Sequence, residues 1–508
     1  MELKTHICRQ LTEKGSASTQ ITLDDDYIVR DNKPDVVRVI YTRGDVLLED
    51  TKAGNQGIWV TGKLHFVALY QTDDEGCKLD YLEGDVPFQE KLVIDEVEEA
   101  DDVTVAATLE DLSLGIINSR KVVVRAVVSL FAEGYEERAY DITCGVDNEI
   151  EYEEKTKDIE MLCLLDAKKD VIRLQKELVL PGSRTNIGEI IFSQIDFRNQ
   201  DMTIKDNGID VQMDAQVFVL YRSESTGEYE CFESTVPLNG EIETDVLDQT
   251  EVFWAKISEL ESRIETREDY DGEARMLGME VTLGVELQVY REEKCSMLMD
   301  AYSLEKELLL EREELKSDVL LMKNISKIRL LEQLQIDTNQ ERILQICNTS
   351  GRAVVDRIIR QEKGILLEGI LFVNVLYNTT EDAMPFQSHC SQIPFEQFVE
   401  IADFMQDARV RTDVTMEQLQ VNLLDNTEYE VKAGIQISVF VTRPQRLFNI
   451  SHIEECELDM EALTKQPGII GVVRSEGEEL WDIAKKYHAT SENIIELGEK
   501  VLVVKQVR

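Results

Sequence analysis

One alternating segment occurs three times in this 508-residue chain. It runs from Gly57 to Tyr70, from Gly208 to Tyr221 and from Gly364 to Tyr377, so its starts lie 151 and 156 residues apart. In each copy Ile follows the Gly, Leu precedes the Tyr, and a Pro comes 16 or 17 residues further on, at Pro87, Pro237 and Pro394. Self-similarity at a fixed period is the mark of tandem copies of one folding unit. The middle copy shows what the segment is. Ile209, Val211, Met213, Ala215, Val217, Val219 and Tyr221 alternate with Asp210, Gln212, Asp214 and Gln216. A period of two over a dozen residues is a long, half-buried β-strand. The closing Tyr falls in the apolar phase, which puts its ring in the core and its hydroxyl near the end of the sheet.

A second strand recurs in each copy: Lys121–Phe131, Leu277–Val289 and Tyr429–Val441. Shorter acidic strands lie between the pairs, near Thr108, Ile257 and Thr415. Each copy is therefore expected to be an antiparallel unit of five or six strands, a sandwich or partly closed barrel. Two acidic connectors are compatible with helix, with strand left open for the first part of the second. The second, from Ser303 onward, carries Leu304, Leu308, Glu311, Leu315 and Val319 at helical spacing. The expected division is repeat 1 at 1–145, a linker at 146–165, repeat 2 at 166–300, a helical linker at 301–325, repeat 3 at 326–445, a linker at 446–467 and a C-terminal module at 468–508.

The last 41 residues break the pattern. An apolar strand over Ile469, Ile470, Val472 and Val473 leads into a helix in which Leu480, Ile483, Ala484 and Tyr487 share one face. Thr490 or Ser491 is placed to cap a second helix over Ile494–Leu497, and Val501–Val504 reads as a closing strand. The expectation is a small βααβ module on a mainly β chain. Trp481 lies about 100° round the helix from Leu480, at a flank with Lys485 and Lys486. A half-exposed Trp beside cations is a candidate hot spot. Ile470, Trp481, Lys485, Lys486 and Tyr487 are the candidate partner-binding residues.

Charge narrows the partners. The formal net charge is −47, from 101 acidic and 54 basic residues, whereas 468–508 carries six Lys/Arg and seven Asp/Glu. Such a field repels phosphate backbones and anionic lipid, which argues against nucleic acid or a membrane surface as partner. The module is the one part that does not strongly repel an acidic protein. Nine cysteines are scattered without a CxxC, so they read as free thiols in a reducing compartment. No signal-peptide core opens the sequence and no run of 18 apolar residues occurs. Phosphate-loop, dinucleotide, HExxH and GxSxG motifs are missing, and the five His show no metal-ligand spacing. The chain reads as non-enzymatic, with no cofactor.

Two resemblances sharpen this. The tail's Val473, Gly477, Glu478, Leu480, Trp481, Ile483, Ala484 and Tyr487 resemble the opening phrase of a LysM domain. The repeats, best seen in Glu341–Cys347, Gly364–Tyr377 and Ile393–Gln397, resemble the SPOCS domain of spore-forming bacteria. Three SPOCS-like copies followed by a LysM-like tail are similar to the SipL family of clostridial spore morphogenetic proteins. That resemblance implies a scaffold for spore coat assembly in the mother-cell cytoplasm, at the forespore surface. It also implies that the LysM-like tail binds a coat-basement ATPase resembling SpoIVA. Peptidoglycan or cortex binding is the alternative. It is weakened by Glu478-Glu479 where glycan-binding LysM domains carry Asp-Thr, and by the shortened loop after Leu497.

Overall fold

The computed structural model describes residues 2–74, 78–147, 151–205, 208–244, 248, 250–336, 342–381, 385–459, 461, 466–475, 477–498 and 500–504. Repeat 1 comprises β1 (Glu2–Ile28), β2 (Val36–Gly54), β3 (Gly57–Thr72), β4 (Leu79–Leu92), β5 (Asp102–Asn118) and β6 (Lys121–Asp147). Its strands make two antiparallel sheets, β2-β3-β4 and β1-β6-β5. Repeat 2 copies this with β7 (Tyr152–Val179), β8 (Ile187–Lys205), β9 (Gly208–Ser223), β10 (Tyr229–Glu243), β11 (Val252–Arg267) and β12 (Met276–Ser303). Repeat 3 does so with β13 (Lys306–Gln335), β14 (Ile343–Gln361), β15 (Gly364–Thr379), β16 (Phe386–Glu400), β17 (Arg409–Leu423) and β18 (Glu428–Glu457). The repeated Gly-to-Tyr segment is the central strand of the first sheet in each copy.

The two sheets of a repeat pack face to face. In repeat 2, Ile209, Val211, Met213 and Ala215 of β9 share one core with Leu277, Met279, Val281 and Leu283 of β12. The sandwich thus joins the two alternating strands that dominate the sequence. The repeated Gly has a steric cause. A Cβ on Gly57, Gly208 or Gly364 would sit 2.3, 2.2 or 2.1 Å from the carbonyl oxygen of Leu92, Ile242 or Val399. At Gly364 the φ of 150° adds a conformation that favours glycine. The repeated Tyr is fully buried at 70, 221 and 377. Tyr70 donates to the Pro34 carbonyl at 3.0 Å and Tyr221 to Glu230 at 2.9 Å, so the hydroxyls do lie at the sheet's end.

The expected helical connectors are strands. Residues 152–165 belong to β7, and residues 306–325 belong to β13. β5 pairs with β6 only as far as Tyr135, and beyond it β6 continues with β1 alone. β7/β12 and β13/β18 extend in the same way, past Tyr290 and Thr442. Three two-stranded arms result, and they bundle. Leu315, Ile142, Met161 and Met297 meet in one apolar cluster drawn from all three arms. Leu and Glu favour a helix by less than about 0.7 kcal/mol per residue. Burial of one Leu or Val is worth roughly 1.5–3 kcal/mol, so packing between arms wins over local preference.

One arm contact corrects the reading of the cysteines as free thiols: Cys8 of β1 and Cys163 of β7 form a disulfide, 155 residues apart in sequence. Strands of different repeats bring them together, so no local spacing marks the pair. Cys144, Cys231, Cys295, Cys347, Cys390 and Cys456 are free, and Cys77 lies outside the described residues.

The repeats close into a ring. The Leu before each repeated Tyr points away from its own core. Leu69, Leu220 and Leu376 meet with Tyr41, Phe192, Phe218 and Phe386 in a shared hub. At the hub, Tyr41 donates to Gln194 at 2.8 Å and Asn348 donates to the same oxygen at 3.2 Å, tying repeats 1 and 3 to repeat 2. Ser388 donates to the Ile40 carbonyl at 2.6 Å, joining repeat 3 to repeat 1.

The C-terminal module consists of β19 (Ile469–Val473), α1 (Leu480–Tyr487), a 3-10 turn at Ser491–Asn493, β20 (Ile494–Leu497) and β21 (Lys500–Val504), with sheet order β19-β21-β20. The expected second helix is therefore only one 3-10 turn. β-branched Ile494 and Ile495 pair with Val503 and Leu502 instead. Ile483, Ala489, Val501 and Val503 form its core.

Candidate interaction surface of the C-terminal module

Helix α1 begins with a reciprocal capping box between Glu479 and Asp482 and ends at His488, which takes the left-handed conformation. Ile483 and Ala484 face the core, which turns Trp481 and Lys485, one helical turn apart, to a common flank. That flank is occupied. The Trp481 indole N–H donates to Asp300 Oδ2 at 2.7 Å, and Lys485 Nζ donates to Asp300 Oδ1 at 2.6 Å. Tyr302 stacks edge-on against Trp481, with centroids 4.9 Å apart, and its hydroxyl donates to the Ala489 carbonyl at 2.8 Å. Ser491 donates to Glu153 at 3.1 Å, and Lys155 pairs with Glu479. Asp300 and Tyr302 lie at the end of the β12 arm, beside a bulge that follows Leu298. The module is thus seated on the tip of the second arm.

Burial works against the charge on Asp300. Hydrogen bonds from Lys485 and Trp481, with the charges of Lys485 and Arg312, outweigh it and hold its carboxyl below the ordinary range. Burial pushes the Tyr302 hydroxyl up to about 12, so it stays a donor at neutral pH.

The five candidate residues do not form one surface. Trp481 and Lys485 come together, but on the chain's own arm. Ile470 and Tyr487 are half-buried and pack against the module's core. Lys486 is exposed, with its ammonium 5.6 Å from the Tyr487 ring centroid. Sequence reasoning missed Asp300, Tyr302 and Glu153, because strands that lie far off in the chain deliver them. It also missed an apolar exposed set on the sheet: Ile469, Val473, Ile495 and Leu497, each at least half exposed.

A second concavity lies where the repeats meet. It encloses about 1570 Å³ and is lined from all three repeats. Arg411 donates to Gln288 at 2.6 Å, with its guanidinium 4.8 Å from the Tyr135 ring centroid. Burial pushes the Asp413 carboxyl up against the opposing influence of Lys256. Three of the histidines have separate partners: His6 bonds Glu293 at 2.5 Å, His65 bonds Asp85 at 2.7 Å and His389 bonds Tyr429 at 2.7 Å. Among the described residues no helix is long and apolar enough to cross a membrane.

No curated protein matches this chain. Residues 35–117 and 342–424 match the family model described as SipL, SPOCS domain. These segments span β2–β5 of repeat 1 and β14–β17 of repeat 3, with small overhangs of a residue or so at their edges. Two of three like-folded repeats are therefore similar to a sporulation-related domain.

Proposed function

We propose that the chain is a non-enzymatic sporulation scaffold that helps localise or encase the spore coat at the forespore surface. In this reading it acts from the mother-cell cytoplasm, and its LysM-like C-terminal module engages a coat-basement ATPase resembling SpoIVA. The observation that carries the reading is the pair of SPOCS-domain matches at equivalent positions of repeats 1 and 3. The separate fold and near-neutral charge of the module support its role as the docking part. A fluorescent fusion in a sporulating cell is expected to form a ring around the forespore, and diffuse fluorescence would refute the localisation. Pull-down of the ATPase is expected to fail with a chain lacking 468–508. Undiminished capture would overturn the docking role, and tight binding of the module to purified peptidoglycan would replace it. Lys486→Glu is expected to weaken association at least tenfold, since Lys486 is the one candidate cation that the arm leaves open.

A further inference from the structure

Three pairs of cysteines lie across the seams between repeats. Cys8 and Cys163 already form a bond between the first and second arms. Cys144 of β6 and Cys295 of β12 pack against the same apolar cluster, where burial and then the neighbouring Cys144 push the Cys295 thiol up. In the hub, Cys231 of β10 and Cys347 of β14 belong to one cluster, and the neighbouring Cys347, together with burial, pushes the Cys231 thiol up. Two of these residues stand at irregularities of the ladders. Thr143 and Gly145 pair with Thr5 and Lys4, leaving Cys144 between them, and Ile346 and Asn348 pair with Tyr377 and Leu376, leaving Cys347 between them. A bulge re-aims the side chain it carries. Here each bulged cysteine leaves the ladder at a seam it shares with a cysteine of another repeat, while its thiol donates to a carbonyl of its own strand, Cys144 to Ile142 at 3.5 Å and Cys347 to Gln345 at 3.8 Å.

We propose that Cys144–Cys295 and Cys231–Cys347 are oxidative cross-linking sites whose co-reactant is a small-molecule disulfide. With Cys8–Cys163, they make the seams between repeats 1 and 2 and between repeats 2 and 3 covalent. A thiolate of the pair attacks one sulfur of the small disulfide, forming a mixed disulfide and expelling one small thiolate. The neighbouring cysteine gives up its proton to solvent and attacks the protein sulfur of the mixed disulfide. The second small thiolate leaves. Two protein thiols are oxidised to one S–S bond, and one small disulfide is reduced to two thiols once the released thiolates take up the protons. At the hub the neighbouring Cys231 lowers the Cys347 thiol against the effect of burial, which favours the thiolate there. None of the four cysteines is fully exposed, so the packing of the arms and of the hub selects the partner.

The test treats the native full-length chain with excess glutathione disulfide, alkylates it, and maps its peptides without reduction. Peptides joining Cys144 to Cys295 and Cys231 to Cys347 are expected. Thiols titrated after denaturation should fall from seven of the nine cysteines to three. Cys144→Ser and Cys231→Ser should each form only one new bond, with the other pair unaffected. The proposal is overturned if these cysteines stay alkylatable, stop as mixed disulfides with glutathione, or join in other combinations.

Discussion

Asp300 shows how one side chain decides where a module sits. Its two oxygens take the indole N–H of Trp481 and the ammonium of Lys485, and nothing near it in sequence signals this. Asp300→Ala leaves two half-buried donors without this acceptor, at a cost of roughly 1–3 kcal/mol. Trp481 fluorescence is expected to shift to the red and the 468–508 segment to become more sensitive to protease. The same contact depends on pH in a defined sense. The docked carboxyl lies below its ordinary value of 3.8, so its contribution is complete above that pH and fades as pH falls through the lowered value. Acid titration of Trp481 emission in the full chain, compared with Asp300→Ala, reads this directly. The repeated glycines are the residue-scale feature most legible in advance. Gly364→Ala drives a methyl against the Val399 carbonyl and is expected to lower stability by at least about 2 kcal/mol in chemical denaturation.

At the scale of elements, alternation was readable wherever a strand lies between its own core and solvent or a neighbouring repeat. β9 and β12 show this, since their inward residues are all apolar. The arms were not readable. In β13, buried Leu308, Leu315 and Val319 are spaced by seven and four, which fits a helix face, and only buried Ser317 between them shows the period of a strand. What settles it is β18, which pairs with β13 over its whole length and begins 93 residues after β13 ends. Leu315→Ala empties a fully buried position among three arms and should cost about 2–5 kcal/mol. Far-UV circular dichroism should show no loss of helix signal in this variant, because the arm has none to lose. The second helix of the C-terminal module failed for a similar reason: β21 offers Ile494 and Ile495 a partner strand.

The whole molecule is a ring of three sandwiches around a hub, with a bundle of arms and a small module on the tip of one arm. A net charge of −47 on this body opposes compaction. Raising salt from about 20 to about 150 mM shortens the screening length to about 8 Å, so the thermal midpoint of the full chain is expected to rise over that interval. A fall would show that cross-repeat ion pairs such as Arg43–Asp196, at 2.8 Å, outweigh the repulsion. By itself the sequence determined the repeat, its central strands, the buried Tyr at each strand's end and the β class of the fold. Those follow from local periodicity and from the size of single side chains. Only the tertiary structure decided the arms, the hub, the Cys8–Cys163 bond and the seat of Trp481 and Lys485. Each depends on which distant strands become neighbours, and a period of two says which face is apolar but not what will cover it.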